Sequence, residues 1–210
     1  MDISTFLGNK IIDHLLRNQA YTPPVTVYVS AHTADPGLTG GSEVAGAGYA
    51  RQALALTAGA SKATATSAQV QIPMPSAGGP FLCSWYGIWD ASTAGNFLLK
   101  VPMLGTNQIV TGAAATDLLT CYAHGFTTGD RISFDAGPGA GLPTGLATAT
   151  LYWVIATGLT ADVFSVSTTS GGAAVNITAD GEAIARKQLE KTMNATDLLQ
   201  INSGALTVTF

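Results

Sequence analysis

The sequence predicts a mainly β protein: a β-sandwich or jelly-roll-like parent domain with one N-terminal helix, interrupted by a small all-β insert domain. Three observations support this fold class. Short runs of branched and aromatic residues alternate with turns rich in glycine and proline, which is typical of sandwiches and barrels. One segment near the N terminus has the apolar spacing of a helix. One five-residue motif occurs twice, at residues 115–119 and 195–199.

The helix is predicted to begin after Ser4, a residue type that caps helix N termini. Thr22-Pro23-Pro24 follows it, and proline cannot continue a helix. A helix of about 13 residues is too short to be stable alone, so its apolar face must dock on another surface. The residues of that face are Phe6, Leu7, Ile11, Ile12, Leu15 and Leu16.

The strands of the parent domain are predicted from alternating or β-branched runs. A long loop rich in Gly, Thr, Ser and Pro, Ala34–Gly48, separates the first strand from the second. The chain ends within an alternating run, and a terminal strand is usually tied into a sheet. The predicted strands are Val25–Ser30, Tyr49–Thr57, Thr64–Ile72, Trp85–Trp89, Phe97–Val101 and Gly204–Phe210.

The middle of the chain reads as a separate β module, because no Lys or Arg occurs between Arg131 and Arg186. Its predicted strands include Leu151–Ile155, Val163–Ser167 and Val175–Ile177. The motif Ala-Thr-Asp-Leu-Leu, repeated on either side of most of this module, is either chance or the mark of an insertion. The second interpretation predicts a parent domain of residues 1–104 plus 189–210 and an inserted domain of residues 105–188.

Composition excludes several functional classes. Only 10% of residues are charged and the net charge is −4, which argues against a disordered chain and against a nucleic-acid binder. No run approaches the roughly 18 apolar residues of a membrane-spanning helix, and the start lacks the pattern of a signal peptide. We therefore expect no nucleic-acid or membrane partner. Cys83 and Cys121 are expected to be buried free thiols.

No catalytic or cofactor motif is present, so we expect no enzyme activity, no cofactor and no metal. The three histidines lack metal-ligand spacing, and neither a nucleophile elbow nor a phosphate loop occurs. Four aspartates are candidates for carboxylate chemistry, although turn aspartates usually bind nearby backbone N–H groups: Asp90, Asp130, Asp135 and Asp162. The tryptophans Trp85, Trp89 and Trp153 could form a sugar-binding platform, although strand aromatics more often lie in a core.

Several motifs resemble a family of small tailed-bacteriophage virion structural proteins, commonly labelled phage tail fibre proteins. The resemblance covers about residues 5–103 and 189–210, and this chain departs from the family by carrying extra residues between them. Those extra residues resemble a small phage β module. The motifs are residues 6–16, Tyr21–Val29, Thr33–Pro36, Glu43-Val44, Gly48–Gln52, Gly87–Ala91 and Gly204–Phe210.

The resemblance implies a non-enzymatic bacteriophage virion protein, either a tail or tail-fibre-type subunit or a capsid decoration (cement) protein. A carbohydrate-binding adhesin module on the virion surface is the alternative. We expect it to be a homo-oligomer in the virion, assembled in the bacterial host cytoplasm, in contact with major capsid or tail proteins and with a host-surface glycan as a further possible partner. Contacts are expected through the helix face and the Ala34–Gly48 loop, at Phe6, Leu7, Ile11, Leu15, Asp35, Pro36 and Glu43.

Overall fold

A computed structural model describes residues 2–139, 141–148 and 150–209. Within these residues the protein is mainly β with one helix, as predicted. The chain divides into two compact units, one made of Met1–Met103 and Glu190–Phe210 and the other of Leu104–Leu189.

The first unit contains a five-stranded sheet, in the order β1-β8-β7-β2-β3, and three two-stranded pairs, β15-β6, β16-β5 and β17-β4. All of these strand pairs are antiparallel. Its elements are β1 (Asp2–Ile3), α1 (Thr5–Leu16), β2 (Val27–His32), β3 (Gln52–Leu54), β4 (Ala63–Ala65), β5 (Val70–Pro73), β6 (Phe81–Cys83), β7 (Trp85–Trp89) and β8 (Phe97–Pro102), followed after the second unit by β15 (Lys191–Met193), β16 (Leu198–Ile201) and β17 (Thr207–Thr209).

Alternation along β2 explains how this sheet is buried on both faces. Val29 and Ala31 point into the hydrophobic core, whereas Ser30 and His32 point to the opposite face. All four residues are fully buried. The opposite face must therefore be covered as well, and residues 33–48 lie against it: His32 Nδ1 is 2.7 Å from the carbonyl oxygen of Gly41.

The second unit is a closed barrel with the strand order β10-β13-β12-β11-β14-β9, in which β9 also pairs with β10. A closed barrel has no free strand edge, and its interior is filled by apolar residues such as Phe134, Phe164 and Leu119. Its strands are β9 (Gln108–Ala113), β10 (Leu118–Thr120), β11 (Arg131–Ala136), β12 (Leu151–Ile155), β13 (Val163–Ser167) and β14 (Gly181–Lys187).

Several strand predictions differ from the structure. The strand predicted at Tyr49–Thr57 is limited to Gln52–Leu54, and the one predicted at Val25–Ser30 is shifted to Val27–His32. The predicted strand Val175–Ile177 is wrong, because its N–H groups bind Val166 O and the carboxylate of Asp117 and it forms no ladder. The predicted strand Thr64–Ile72 is two strands, β4 and β5, separated where Thr66 binds residues 202 and 206. The predicted terminal strand is shorter, with Phe210 outside the described residues, and it pairs with β4 of the first unit.

The two copies of the Ala-Thr-Asp-Leu-Leu motif occupy equivalent local positions in different units. Each forms a turn that leads into a strand, β10 in the barrel and β16 in the first unit. The second leucine of each motif, Leu119 or Leu199, is fully buried in the core of its own unit. Turn and strand chemistry therefore explains the pattern within each copy, and the inserted origin of the barrel stays a prediction.

Candidate contact site

The first half of α1 is docked on its own unit. Ser4 caps the helix, its Oγ accepting a hydrogen bond from the N–H of Leu7 at 3.0 Å, as predicted. The N–H of Ser4 donates to Leu98 O in β8 at 2.8 Å. Phe6 and Leu7 are half-buried and pack against the hydrophobic core. These two predicted contact residues therefore serve the chain's own packing.

The second half of α1 presents apolar side chains to solvent. Ile12 is 52% exposed, Leu15 70% and Leu16 80%, while Ile11 is half-buried. No residue of α1 is fully buried. Val25, in the segment after the helix, is fully exposed. Three exposed large aliphatic residues on one face of α1, followed nine residues later in the chain by exposed Val25, are the strongest candidate for a contact surface, which we call the α1 end (Ile12, Leu15, Leu16 and Val25).

The predicted contact residues of the loop anchor the loop itself. Asp35 forms an ion pair with Lys100 of β8, with 2.8 Å from Nζ to each carboxylate oxygen, and also accepts from the N–H of Gly37. Pro36 is buried, and its carbonyl accepts from the N–H groups of Gly40 and Gly41. Contact of Asp35 and Pro36 with another subunit stays a prediction.

Glu43 belongs to an internal ion pair with Arg51. The guanidinium donates from Nε and Nη2 to the two carboxylate oxygens at 2.8 and 2.7 Å, the bidentate geometry of a strong pair. The side chains of Arg51 and Glu43 are only 10% and 19% exposed. Tyr49 also donates to Glu43, and burial with the nearby carboxylate raises the pKa of Tyr49. Sequence reasoning named Glu43 and missed Arg51.

Arg51 connects the loop to the five-stranded sheet. Its guanidinium carbon lies 3.5 Å from the centre of the Trp89 ring, a cation–π contact. It also donates from Nη1 to the carbonyls of Ala91 and Ala94, in the turn between β7 and β8. Gly40 lies against the same ring, since a Cβ there would be 2.5 Å from Trp89. The loop is thus clamped over Trp89.

A directed hydrogen-bond chain continues beneath Trp89. Trp89 Nε1 donates to Ser30 Oγ at 2.8 Å, and Ser30 Oγ lies 2.7 Å from His32 Nε2. Because the Gly41 carbonyl can only accept, His32 Nδ1 carries the proton, and neutral Nε2 accepts from Ser30. Burial lowers the pKa of His32. We call Ser30, His32, Glu43, Arg51 and Trp89 the loop clamp. Its serine–histidine pair is fully buried, out of reach of a substrate.

The four candidate carboxylates each have structural partners. Asp90 accepts from the N–H and side-chain amide of Asn96, and Asp162 accepts from the N–H of Ala123. Asp130 accepts from the N–H of Thr127 and pairs with Lys187. Asp135, in β11, pairs with Arg186. These contacts are those of turns and surface ion pairs.

The tryptophans proposed for sugar binding are not exposed platforms. Trp85 and Trp89 are buried, and Trp153 is half-buried with the Arg131 guanidinium 5.4 Å from its ring centre. Cys83 and Cys121 are buried and free, as predicted, and burial raises the pKa of Cys83 to about 11.

Within the described ranges no group of three or more His, Cys, Asp or Glu residues could hold a metal ion. In the same ranges no helix is long and apolar enough to cross a membrane.

Comparison with known proteins identifies the family of the chain. Residues 2–116, 115 of the 210, match the model of a family described as podophage GP4 fiber I protein gp80. The chain belongs to this family. Membership of the gp80 family suggests a phage virion structural role of the tail-fibre type, with other virion proteins as partners. The search of curated proteins finds no match.

The gp80 family match encompasses every residue of the loop clamp and the α1 end. It ends at Thr116, in the turn after β9, so it covers only the first strand of the barrel. Several motifs that carried the resemblance, such as Glu43-Val44, Gly48–Gln52 and Gly87–Ala91, contain clamp residues or their direct partners. These motifs are therefore explained by the structure of the loop.

Proposed function

We propose that the chain is a non-enzymatic, tail-fibre-type structural subunit of a podophage virion that assembles with further copies of itself and with other virion proteins. The match of residues 2–116 to the gp80 family supports the virion role. The α1 end supports assembly through contacts between subunits, and it is the observation that carries this proposal.

Exposure of the apolar side chains of the α1 end to water is unfavourable. Fully burying one Leu or Ile side chain contributes about 1.5–3 kcal/mol, and Ile12, Leu15 and Leu16 are all more than half exposed. The charged residues Asp13 and Arg17 pair with each other at 2.8 Å, so they place no unpaired charge beside this surface. A partner that covers the α1 end gains this apolar burial without having to desolvate an unpaired charge.

The loop clamp holds the Ala34–Gly48 loop in one conformation. Contacts between virion subunits must be reproduced in every copy, and a surface held by locked side chains binds with less loss of entropy. The Ala34–Gly48 loop is held by Asp35–Lys100 at one position and by Glu43–Arg51 at another. We propose that the outer surface of this loop is a second contact surface.

The barrel is proposed to be a domain inserted into the parent domain. Among the residues that the structure describes, its core is formed by residues of the second unit, and the family model does not extend beyond Thr116. An inserted, closed β domain adds surface to a virion subunit without requiring a change in the parent core.

Immunogold labelling of intact particles with an antibody against this chain tests the proposal. Gold on the tail is the expected result, with a copy number in the range of a few to tens per particle by quantitative mass spectrometry. Gold on the head with hundreds of copies would replace the fibre role by capsid decoration. Absence of the chain from purified particles would refute the virion role.

A glycan array tests the adhesin role separately. Binding to a defined glycan, lost on replacement of the half-buried Trp153, would assign that role to the barrel. We expect no such binding from Trp85 or Trp89, since both rings are buried.

A further inference from the structure

The outer surface of the barrel carries an aromatic ring that is open to solvent. Tyr122 is 87% exposed and Ile109 is 59% exposed, whereas Phe126, Phe134 and Phe164 are buried in the barrel core. An exposed aromatic residue beside an exposed aliphatic one is typical of a binding surface.

Strand alternation explains why these two side chains point outwards. Cys121 and Val110 belong to the barrel core, and successive side chains of a strand point to opposite faces. Tyr122 follows Cys121 and Ile109 precedes Val110, so both lie on the outer face.

The register of β10, β9 and β14 arranges the outward side chains in two rows, one apolar and one polar. Thr120 pairs with Thr111, and the same register continued by two residues sets Tyr122 opposite Ile109. The rows lie about 7 Å apart, because each strand residue advances about 3.4 Å, and each row spans about 10 Å across three strands. The apolar row is Tyr122, Ile109 and Ile184, and the polar row is Thr120, Thr111 and Glu182.

Hydrogen bonds hold the segment that carries Tyr122. The N–H of Cys121 donates to Asp162 O, and the N–H of Ala123 donates to Asp162 Oδ1, both at 2.8 Å. Gln108 Nε2 donates to His124 O at 3.2 Å, which ties the same segment to β9. The ring is therefore presented from a fixed backbone, and a ligand that binds it need not order this segment.

The apolar row is too small for a stable protein interface. An aromatic side chain buries about 150–250 Å², and Ile184 is already half-buried. Each partner in a stable protein complex buries about 800 Å², several times what Tyr122 and Ile109 can supply. The row suits a small ligand that stacks on one ring.

The polar row indicates the chemistry of that ligand. A saccharide ring has an apolar C–H face, which can stack on the negative face of a tyrosine ring, and hydroxyl groups at its edge, which bond to hydroxyls and carboxylates. Thr111 and Thr120 are exposed. Glu182 Oε1 accepts from the N–H of Gly139 at 3.1 Å, which fixes the carboxylate. Since Glu182 is the charged member of the two rows, a neutral sugar fits better than an anionic one.

We propose that the outer face of β10, β9 and β14 binds a neutral glycan, with a pyranose ring stacked on Tyr122 and its hydroxyl groups bonded to the polar row. This site lies in the second unit and does not depend on assembly through the α1 end. It also differs from a platform built on Trp153, which is half-buried beside Arg131.

Saturation-transfer-difference NMR and titration calorimetry of the full chain test the site with methyl glycosides of neutral hexoses and N-acetylhexosamines. We expect one or more of these probes to bind with a Kd below about 10 mM. Tyr122→Ala should raise that Kd about tenfold or more, because the stacked apolar area is lost. Tyr122→Phe keeps the ring and should change the Kd by less than about threefold.

The polar row is tested with the same probes. Thr111→Val removes the hydroxyl and keeps the branched shape, so the Kd should rise about two- to tenfold. Thr192→Val, at an exposed position in β15 of the first unit, is the matched control and should leave the Kd unchanged. Failure of every probe to bind, or binding that Tyr122→Ala leaves unchanged, would overturn the proposal.

Sedimentation velocity distinguishes a glycan site from a contact between copies. Tyr122 is exposed, so Tyr122→Ala should fold and should sediment like the parent chain at every concentration. Self-association that Tyr122→Ala weakens would show that this face contacts another copy, and it would overturn the glycan site. Loss of the glycan site by any of these results leaves the proposed virion role intact.

Discussion

Replacing Arg51 by alanine removes the centre of the loop clamp. The substitution deletes two charge-assisted hydrogen bonds to Glu43, two bonds to the carbonyls of Ala91 and Ala94, and the cation–π contact with Trp89. Glu43, whose side chain is 19% exposed, would be left without its cation. Both side chains are half-buried, and losing a hydrogen bond to a charged group costs about 1.5–3 kcal/mol. The separate contributions are not additive because they share one side chain, and we expect a loss within that range.

The assay is urea unfolding followed by tryptophan fluorescence in a Trp153→Phe background. In that background the remaining tryptophans, Trp85 and Trp89, both lie in the first unit, so the signal reports the unit that contains the clamp. Arg17→Ala is the matched control. It removes an arginine from an exposed i,i+4 ion pair with Asp13, and such pairs contribute no more than about 0.5 kcal/mol. A free energy of unfolding for Arg51→Ala within about 1 kcal/mol of the parent would refute the clamp, since one ordinary hydrogen bond accounts for that much.

Three further predictions concern the packing of the loop and the two cores. Gly40→Ala should destabilise the first unit by about 2–5 kcal/mol, because the new Cβ would both strain the left-handed backbone and collide with Trp89. Gly37 also has a left-handed backbone but has open space around it, so Gly37→Ala should cost only the strain, about 1–2 kcal/mol. Both are measured by urea unfolding, and equal losses would contradict the collision. Burial lowers the pKa of His32 below its ordinary 6.5, so the unfolded chain binds the imidazole proton more tightly than the folded one. The contribution of His32 to the free energy of unfolding should therefore be complete above pH 6.5 and be lost as the pH falls through the folded-state pKa. A His32→Gln variant that keeps this pH dependence would contradict its assignment to His32. Leu199→Ala should lower the stability of the first unit by about 2–5 kcal/mol, because the side chain is fully buried in its core, and an unchanged unfolding midpoint would contradict that placement.

Local patterns in the sequence predicted the elements that depend on local chemistry. Ser4 caps α1 as expected, and β7, β12 and β13 begin and end at the predicted residues. Strand β14 was missed, because Ala183, Ala185 and the basic residues after them do not resemble a strand in isolation. It becomes one because it closes the barrel between β9 and β11, and such long-range pairing leaves no local signal.

The contacts of the candidate site likewise depend on long-range packing that leaves no local signal in the sequence. The apolar stripe of α1 was visible, but the sequence does not reveal that its first half docks on the core while Leu15 and Leu16 remain exposed. Asp35 and Glu43 are predicted as contact residues, but the sequence does not show that the fold pairs them with Lys100 and Arg51. The scarcity of charge could have indicated these ion pairs. The chain has only 9 Lys and Arg residues, so an acidic residue in a structured loop has few possible cationic partners.

Incorporation into particles tests assembly through the α1 end. Tagged wild-type chain and a Leu15→Glu/Leu16→Glu variant are supplied in trans during infection, and the copies of each in purified particles are counted by quantitative mass spectrometry. The α1 end is exposed, so the variant should fold like the wild type by circular dichroism. We expect the wild type and the Arg17→Ala control to enter particles, and the double glutamate variant to be depleted at least severalfold. Equal incorporation of the folded variant would contradict assembly through the α1 end.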